Sequence, residues 1–159
     1  MNKTEFTELL LAARAEWEQL LAQIDKARMT EPDVAGEWSV KDIIAHITWH
    51  EREMIGVLQA RALVGSEWWD LPTDERNRLI FEQNRHRSLD NVLAEAQPVW
   101  AQLHDLVRGL SDEELNDPGR FRDMPAQWAP WQLVADNTFD HYRQHIPTVR
   151  AWLKDEGAS

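Results

Sequence analysis

The chain has 159 residues, 17 basic against 28 acidic side chains, a formal charge of −11, six histidines and no cysteine. Its length suits one domain, residues 1–159, able to bury a core without covalent staples. The missing cysteine excludes disulfides, thiolate zinc sites and cysteine nucleophiles, so soft metal ligation falls to histidine, with carboxylates as the oxygen alternative. The acidity argues against nucleic acid as a partner, because affinity for phosphates comes from lysine and arginine. No apolar run approaches membrane-spanning length and the start, MNKTEFTELL, has no apolar signal core; the expectation is a cytoplasmic protein with no membrane partner.

The predicted elements are helical throughout. Helix one is expected from Lys3 to Met29, with Ala13, Trp17, Leu20 and Ile24 as its apolar stripe. Pro32 and Gly36 break continuity before helix two, which opens on a capping box of Ser39 and Asp42 and should fade near Gly65. Pro72 and Thr73 offer a further start, and Asp74 to Arg87 reads as a charged, marginal extra helix. Helix three follows Ser88, runs to Leu110 and carries Pro98, where a kink is expected. Ser111 to Glu114 forms a second capping box over one short turn, and a loop with Pro118, Pro125 and Pro130 leads to helix four. That last helix is read as continuous from Trp131 to about Lys154, with Trp131, Val134, Thr138, His141, His145, Thr148 and Trp152 along its buried seam. Pro147 falls inside it and should bend it just past the histidines. Four long periodic helices without a strand pattern predict an all-α four-helix bundle with a short extra helix between helices two and three.

Chemistry concentrates on that seam. His141 and His145 stand one turn apart on one helix face, a spacing at which two imidazoles can grip one cation. Tyr142 occupies the place of the glutamate in a zinc-protease motif, so that chemistry is excluded. The alternative is that the two rings hydrogen-bond to carboxylates or water. Helix two offers His46 and, one turn on, His50, either of which could face the bundle axis. Glu51 and Glu53 beside them are candidates for proton transfer. Three neutral imidazoles with an open position suit a catalytic divalent ion, which lowers the pKa of bound water or holds a thiol as thiolate.

Nine tryptophans against one tyrosine point first to core filling. Trp38, Trp68, Trp69, Trp128 and Trp131 fall in loops or at helix ends, where they could cover a ligand pocket, and His50, Trp69 and Trp131 are the candidate pocket residues. Arg76, Arg78, Arg85 and Arg87 are interleaved with acids and read as a solvated face rather than an anion site. His86 and His104 lack comparable partners and read as ordinary surface or core-edge side chains.

The segments GEWSVKDIIAHITWHE (Gly36–Glu51) and NTFDHYRQHIPTVRAWL (Asn137–Leu153) resemble the DinB/YfiT-like superfamily of metal-dependent four-helix bundles. Leu71–Ala96 and the SDEEL turn are similar to its ClbS/DfsB-like branch. The resemblance implies an up-down-down-up bundle, often a homodimer, holding a divalent metal, zinc or nickel, on His46, His141 and His145. It implies hydrolysis or thiol-dependent transfer on a small electrophile, in resistance or detoxification. The alternative it carries is a non-catalytic protein that binds and sequesters a hydrophobic small molecule.

Overall fold

A computed structural model describes residues 1–157, and side chains through residue 155. Its helices are α1 (Lys3–Ala22), α2 (Val40–Ala60), α3 (Thr73–Asn84), α4 (Leu89–Gly109), α5 (Asp112–Asn116), α6 (Pro130–Asp136) and α7 (Phe139–Gly157). Contacts between residues far apart in sequence fix the topology of the four long ones. Phe6 meets Phe139, Arg14 meets Tyr142 and Glu16 meets Arg150, so α1 and α7 run parallel. Arg52 of α2 pairs with Glu95 in the first half of α4. Arg61, just past the α2 end, pairs with Glu114 in α5, just past the α4 end, so α2 and α4 run parallel. His46 meets His145 while His50 meets Asn137, so α2 and α7 are antiparallel. The bundle is up-down-down-up, with α3 as the extra helix in the return connection from α2 to α4.

The starts of the helices are written locally. Ser39 Oγ accepts from the Asp42 N–H at 3.2 Å while Asp42 Oδ2 accepts from the Ser39 N–H at 2.9 Å, which closes the expected capping box. Ser111 and Glu114 close the second, and Ser88 caps α4 through the Asn91 N–H. The core gathers Phe6, Leu10, Trp17, Ile43, Ile47, Met54, Leu58, Leu103 and Tyr142, each at most 2% exposed.

Two helices end earlier than periodicity suggests. α1 stops at Ala22, because Asp25 turns out of helical conformation at ψ 135° and a 3-10 turn covers Lys26–Arg28. α2 stops at Ala60, where Arg61 takes a left-handed conformation at φ 48°. A third difference concerns the expected single last helix, which is broken at Asn137 and Thr138. Asn137 Nδ2 donates to the Leu133 carbonyl and Thr138 Oγ1 to the Val134 carbonyl, taking acceptors that an unbroken helix needs for its own N–H groups. The Thr138 N–H then bonds Ala135, one residue short of the α-helical partner. The buried stripe of α7 is therefore Phe139, Tyr142, Ile146 and Val149. Thr148 and Trp152 are half-buried and Pro147 is exposed, off the face where the continuous seam would have placed it.

α3 is locked across α2 by a buried lysine. Lys41 Nζ donates to the carbonyls of Asn84 and Arg85 at 3.0 and 2.9 Å, satisfying orphan acceptors at the end of α3. The loop before α3 approaches closely: a Cβ on Gly65 would lie 2.5 Å from Trp69 Cβ, so only glycine allows the turn that seats this indole.

Candidate metal centre

Four imidazoles meet between α2 and α7. His46 and His50 come one turn apart from α2, His141 and His145 one turn apart from α7, and the antiparallel crossing brings the pairs face to face. His46 Nε2 lies 3.0 Å from His141 Nε2, and His145 Nε2 lies 3.0 Å from the same atom. His46, His50 and His141 are all buried, and each offers a ligand nitrogen within 4.8 Å of the others. The break at Asn137 belongs to this arrangement. Its Nδ2 is committed to Leu133, which leaves Oδ1 to accept from His50 Nδ1 at 2.8 Å. His50 Nδ1 therefore carries the proton, and Nε2 is its basic nitrogen.

These residues fit a divalent ion. His141 Nε2 has one bonding direction and two imidazole nitrogens at 3.0 Å, so hydrogen bonds alone cannot satisfy all three atoms. Nitrogens sharing one zinc at about 2.0–2.1 Å lie roughly 3–3.5 Å apart, close to what the apposed rings show. Burial is the largest cause holding His46 and His141 well below the ordinary histidine range, assisted by neighbouring imidazoles and Arg76. It lowers His50 and His145 to about 4. All four are thus neutral near pH 7, the form that ligates. His46 Nδ1 and His141 Nδ1 are buried without a partner, so the usual hydrogen bond behind a ligating ring is missing on both.

The histidines open onto a cleft of about 370 Å³ whose wall includes Trp69, Arg76, Asn77, Leu133, Asp136 and Gln144. His50 and Trp69 line it as the sequence suggests, whereas Trp131 is not among its lining and packs half-buried against the core. Trp38 stacks on Phe81 and tilts against His46 with centroids 5.0 Å apart, covering the site from the α1–α2 connection. Trp128 is 40% exposed and is not part of the cleft lining, though it sits beside Leu133 and Asp136, which are. His86 is exposed and His104 stacks on Trp100, both apart from the cluster.

Neither glutamate lines the cleft. Glu51 is fully buried on another face of α2, where Tyr142 donates to its Oε1 and Arg14 Nη1 lies 3.1 Å away. Burial pushes its carboxyl up to about 7 against the lowering pull of Arg14 and Tyr142. Glu53 points into the α2–α3 connection and accepts from the Ser66 N–H at 2.9 Å. Arg76, expected with Arg78, Arg85 and Arg87 on a solvated face, instead sits in the first turn of α3 and lines the histidine cleft.

The buried, neutral imidazoles predict acid sensitivity. The unfolded chain protonates His50 and His145 near 6.5 and the folded chain only near 4. Their contribution is present above pH 6.5 and lost as pH falls toward 4, on the order of 3 kcal/mol for each ring. Glu51 acts oppositely, since a carboxyl raised from 4.5 to about 7 stabilises at low pH and loses that contribution as pH rises through 7. Four depressed imidazoles outweigh the two raised carboxyls, Glu51 and Asp136. The urea midpoint of metal-free protein should fall between pH 7 and pH 4.5; a midpoint that holds or rises over that interval would contradict the assignment.

An antiparallel pair of helices facing two histidine pairs across the axis of an up-down-down-up bundle defines a class of helical proteins built around a polyhistidine centre. The DinB superfamily profile matches residues 9–149, and the chain belongs to that superfamily. No match was found among curated proteins. Solved structures share the fold at low identity. An uncharacterised protein from Escherichia coli UTI89 superposes at a TM-score of 0.81 with 15% identity, over 98% of this chain and 95% of that one. The sibling lethal factor precursor DfsB gives 0.81 and 15%, over 98% and 97%. The colibactin self-resistance protein ClbS, solved with double-stranded DNA, gives 0.76 and 16%, over 94% of each chain. That complex bears against the expectation drawn from charge that no nucleic acid is bound: charge alone does not exclude DNA from this fold. No helix among the described residues is long and apolar enough to cross a membrane.

Proposed function

We propose that the protein is a metal-dependent hydrolase or thiol-dependent transferase that acts on a small electrophile in the histidine cleft, in resistance or detoxification. The observation that carries this reading is the meeting of three Nε2 atoms at 3.0 Å contacts inside a buried, neutral imidazole cluster. His46, His141 and His145 would hold a divalent ion, zinc or nickel, with His50 as a fourth nitrogen in reach. Such an ion, when bound, supplies Lewis acidity and makes a nucleophile available at neutral pH.

The chain's own groups do the rest. Asn137 fixes the tautomer of His50, which leaves the Nε2 lone pair of a neutral ring free beside the cluster. Asp136 lines the cleft, and burial, with Asp140 adding, raises its carboxyl above the ordinary aspartate range. Glu51 is better placed to hold Tyr142, and thereby the α7 backbone next to His141, than to move a proton in the cleft. Glu53 anchors the loop that carries Trp69. Trp38 and Trp69 shield the site from water.

Elemental analysis of protein prepared without a histidine tag tests the reading: about one equivalent of metal per chain is expected, and metal-free protein with unimpaired turnover would overturn it. The second reading, sequestration of a hydrophobic molecule, is favoured by the self-resistance role in the ClbS neighbour's name and by Trp69 and Leu133 in the cleft wall. Saturable tryptophan quenching that survives a chelator, with ligand recovered unchanged, would select it. The homodimer implied by the resemblance belongs to the same proposal and is read by light scattering.

A further inference from the structure

Arg76 is anomalous in this protein. Acids outnumber bases 28 to 17, and nearly every arginine has a carboxylate partner, among them Arg14, Arg28, Arg52, Arg61, Arg85 and Arg87. Among the described residues Arg76 and Arg78 form no ion pair, and Arg78 is exposed to solvent. Arg76 instead lines the histidine cleft with its charge uncompensated. Nη1 donates to the Trp69 carbonyl at 2.9 Å, which holds the guanidinium in place, and Nε is buried without any partner. Nε is out of a ligand's reach, so donation to one falls to the terminal nitrogens of the guanidinium.

The surroundings point the same way. α3 begins at Thr73 with Pro72 as its cap and no side-chain bond to its first N–H groups. Thr73 and Asn77 line the cleft beside Arg76, which adds a hydroxyl and an amide to the open end of a helix. Asp136 lies on the same wall without pairing to the guanidinium, so the cation is not cancelled within the cleft. The volume of about 370 Å³ is enough for a small metabolite.

We propose that Arg76, with Thr73 and Asn77, is an oxyanion subsite that grips the carboxylate or phosphate end of the small molecule while its other end faces the histidines. The substrate class is thus an anionic small molecule. The planar guanidinium suits either oxyanion, because both accept two parallel N–H bonds. This rests on reading the cleft as a ligand site.

The test follows tryptophan fluorescence, since Trp69 lies 5.8 Å from the guanidinium and stacks with Trp49. Untagged protein is titrated with malonate and, separately, with inorganic phosphate, against chloride at equal ionic strength, before and after removal of metal by chelator. The expected result is saturation by at least one of the two oxyanions with and without metal. Which one titrates identifies the end group. Affinity should weaken about tenfold or more in Arg76→Gln, the scale of a lost charged hydrogen bond, and be partly kept in Arg76→Lys. Circular dichroism and metal content of both variants should match wild type. Unchanged affinity in Arg76→Gln, a response only with metal bound, or none beyond chloride would overturn the subsite. The metal reading fails separately, by absence of metal from the wild-type protein.

Discussion

His141→Ala is expected to abolish the stabilisation that added metal gives. His141 Nε2 takes part in both close imidazole contacts, to His46 and to His145, so its loss leaves the remaining nitrogens without their common neighbour. At a free metal concentration of a hundred dissociation constants, binding to the folded state adds about 2.7 kcal/mol, or roughly 5–10 °C in Tm for a chain of this size. That rise should appear in wild type and in His86→Ala, whose imidazole is exposed and distant, and should vanish in His141→Ala. Without metal the variant should melt close to wild type, because alanine also removes a buried ring with an unpartnered Nδ1. A metal-dependent rise retained in His141→Ala would show that the ion sits elsewhere.

The largest purely structural effect is expected at Arg14. This guanidinium is buried between α1 and α7, bonded to Glu18 at 2.8 Å and to Glu51 at 3.1 Å, and lies over the Trp100 ring at 4.6 Å. Glu51 is fully buried and depends on Arg14 and Tyr142 for compensation, while its Oε2 has no partner at all. Arg14→Met keeps the length and apolar stem and strands that carboxylate, a change that costs about 3–5 kcal/mol when a buried pair loses one member. The cost should depend on pH in a defined direction. Loss of Arg14 removes the main lowering influence on a carboxyl already near 7, so Glu51 protonates more readily and the penalty shrinks toward pH 5.5. Urea unfolding at pH 8 and pH 5.5 measures it; an equal or larger penalty at the lower pH would contradict the assignment.

Much of the bundle could be read from the chain because its signals are local. Ser39, Ser88 and Ser111 announce helix starts through side chains three residues from their partners. The apolar stripe read from Ala13 to Ile24 is buried throughout although α1 itself ends at Ala22, and α3 begins at the proline-threonine pair as expected. The break at Asn137–Thr138 escaped notice since the apolar period continues across it, and what ends the helix is a competition for carbonyls that spacing does not display. Arg14 was readable in principle: it falls between Leu10 and Trp17 on the buried face, and a charge there implies a buried partner.

The site divides along the same line. Two histidine pairs at one-turn spacing are a local pattern, and antiparallel packing makes them converge. The family resemblance supplied the choice of His46, while the structure places His50 in the cluster as well. Arg76 reaches the cleft through a chain of tertiary contacts: Lys41 pins the far end of α3, and Gly65 lets Trp69 close beneath its start. No feature of the acid-rich run around Arg76 distinguishes it from Arg78. The separation of Glu51 from the cleft is likewise tertiary, since only the packing of α1 decides which glutamate meets an arginine.

Anomalous diffraction from crystals of untagged protein, collected on both sides of the zinc and nickel edges, tests the central claim most directly. One strong anomalous peak per chain is expected within bonding distance of the Nε2 atoms of His46, His141 and His145. Crystals that show full protein density and no peak at the histidines, or a peak bound only by surface carboxylates, would contradict it.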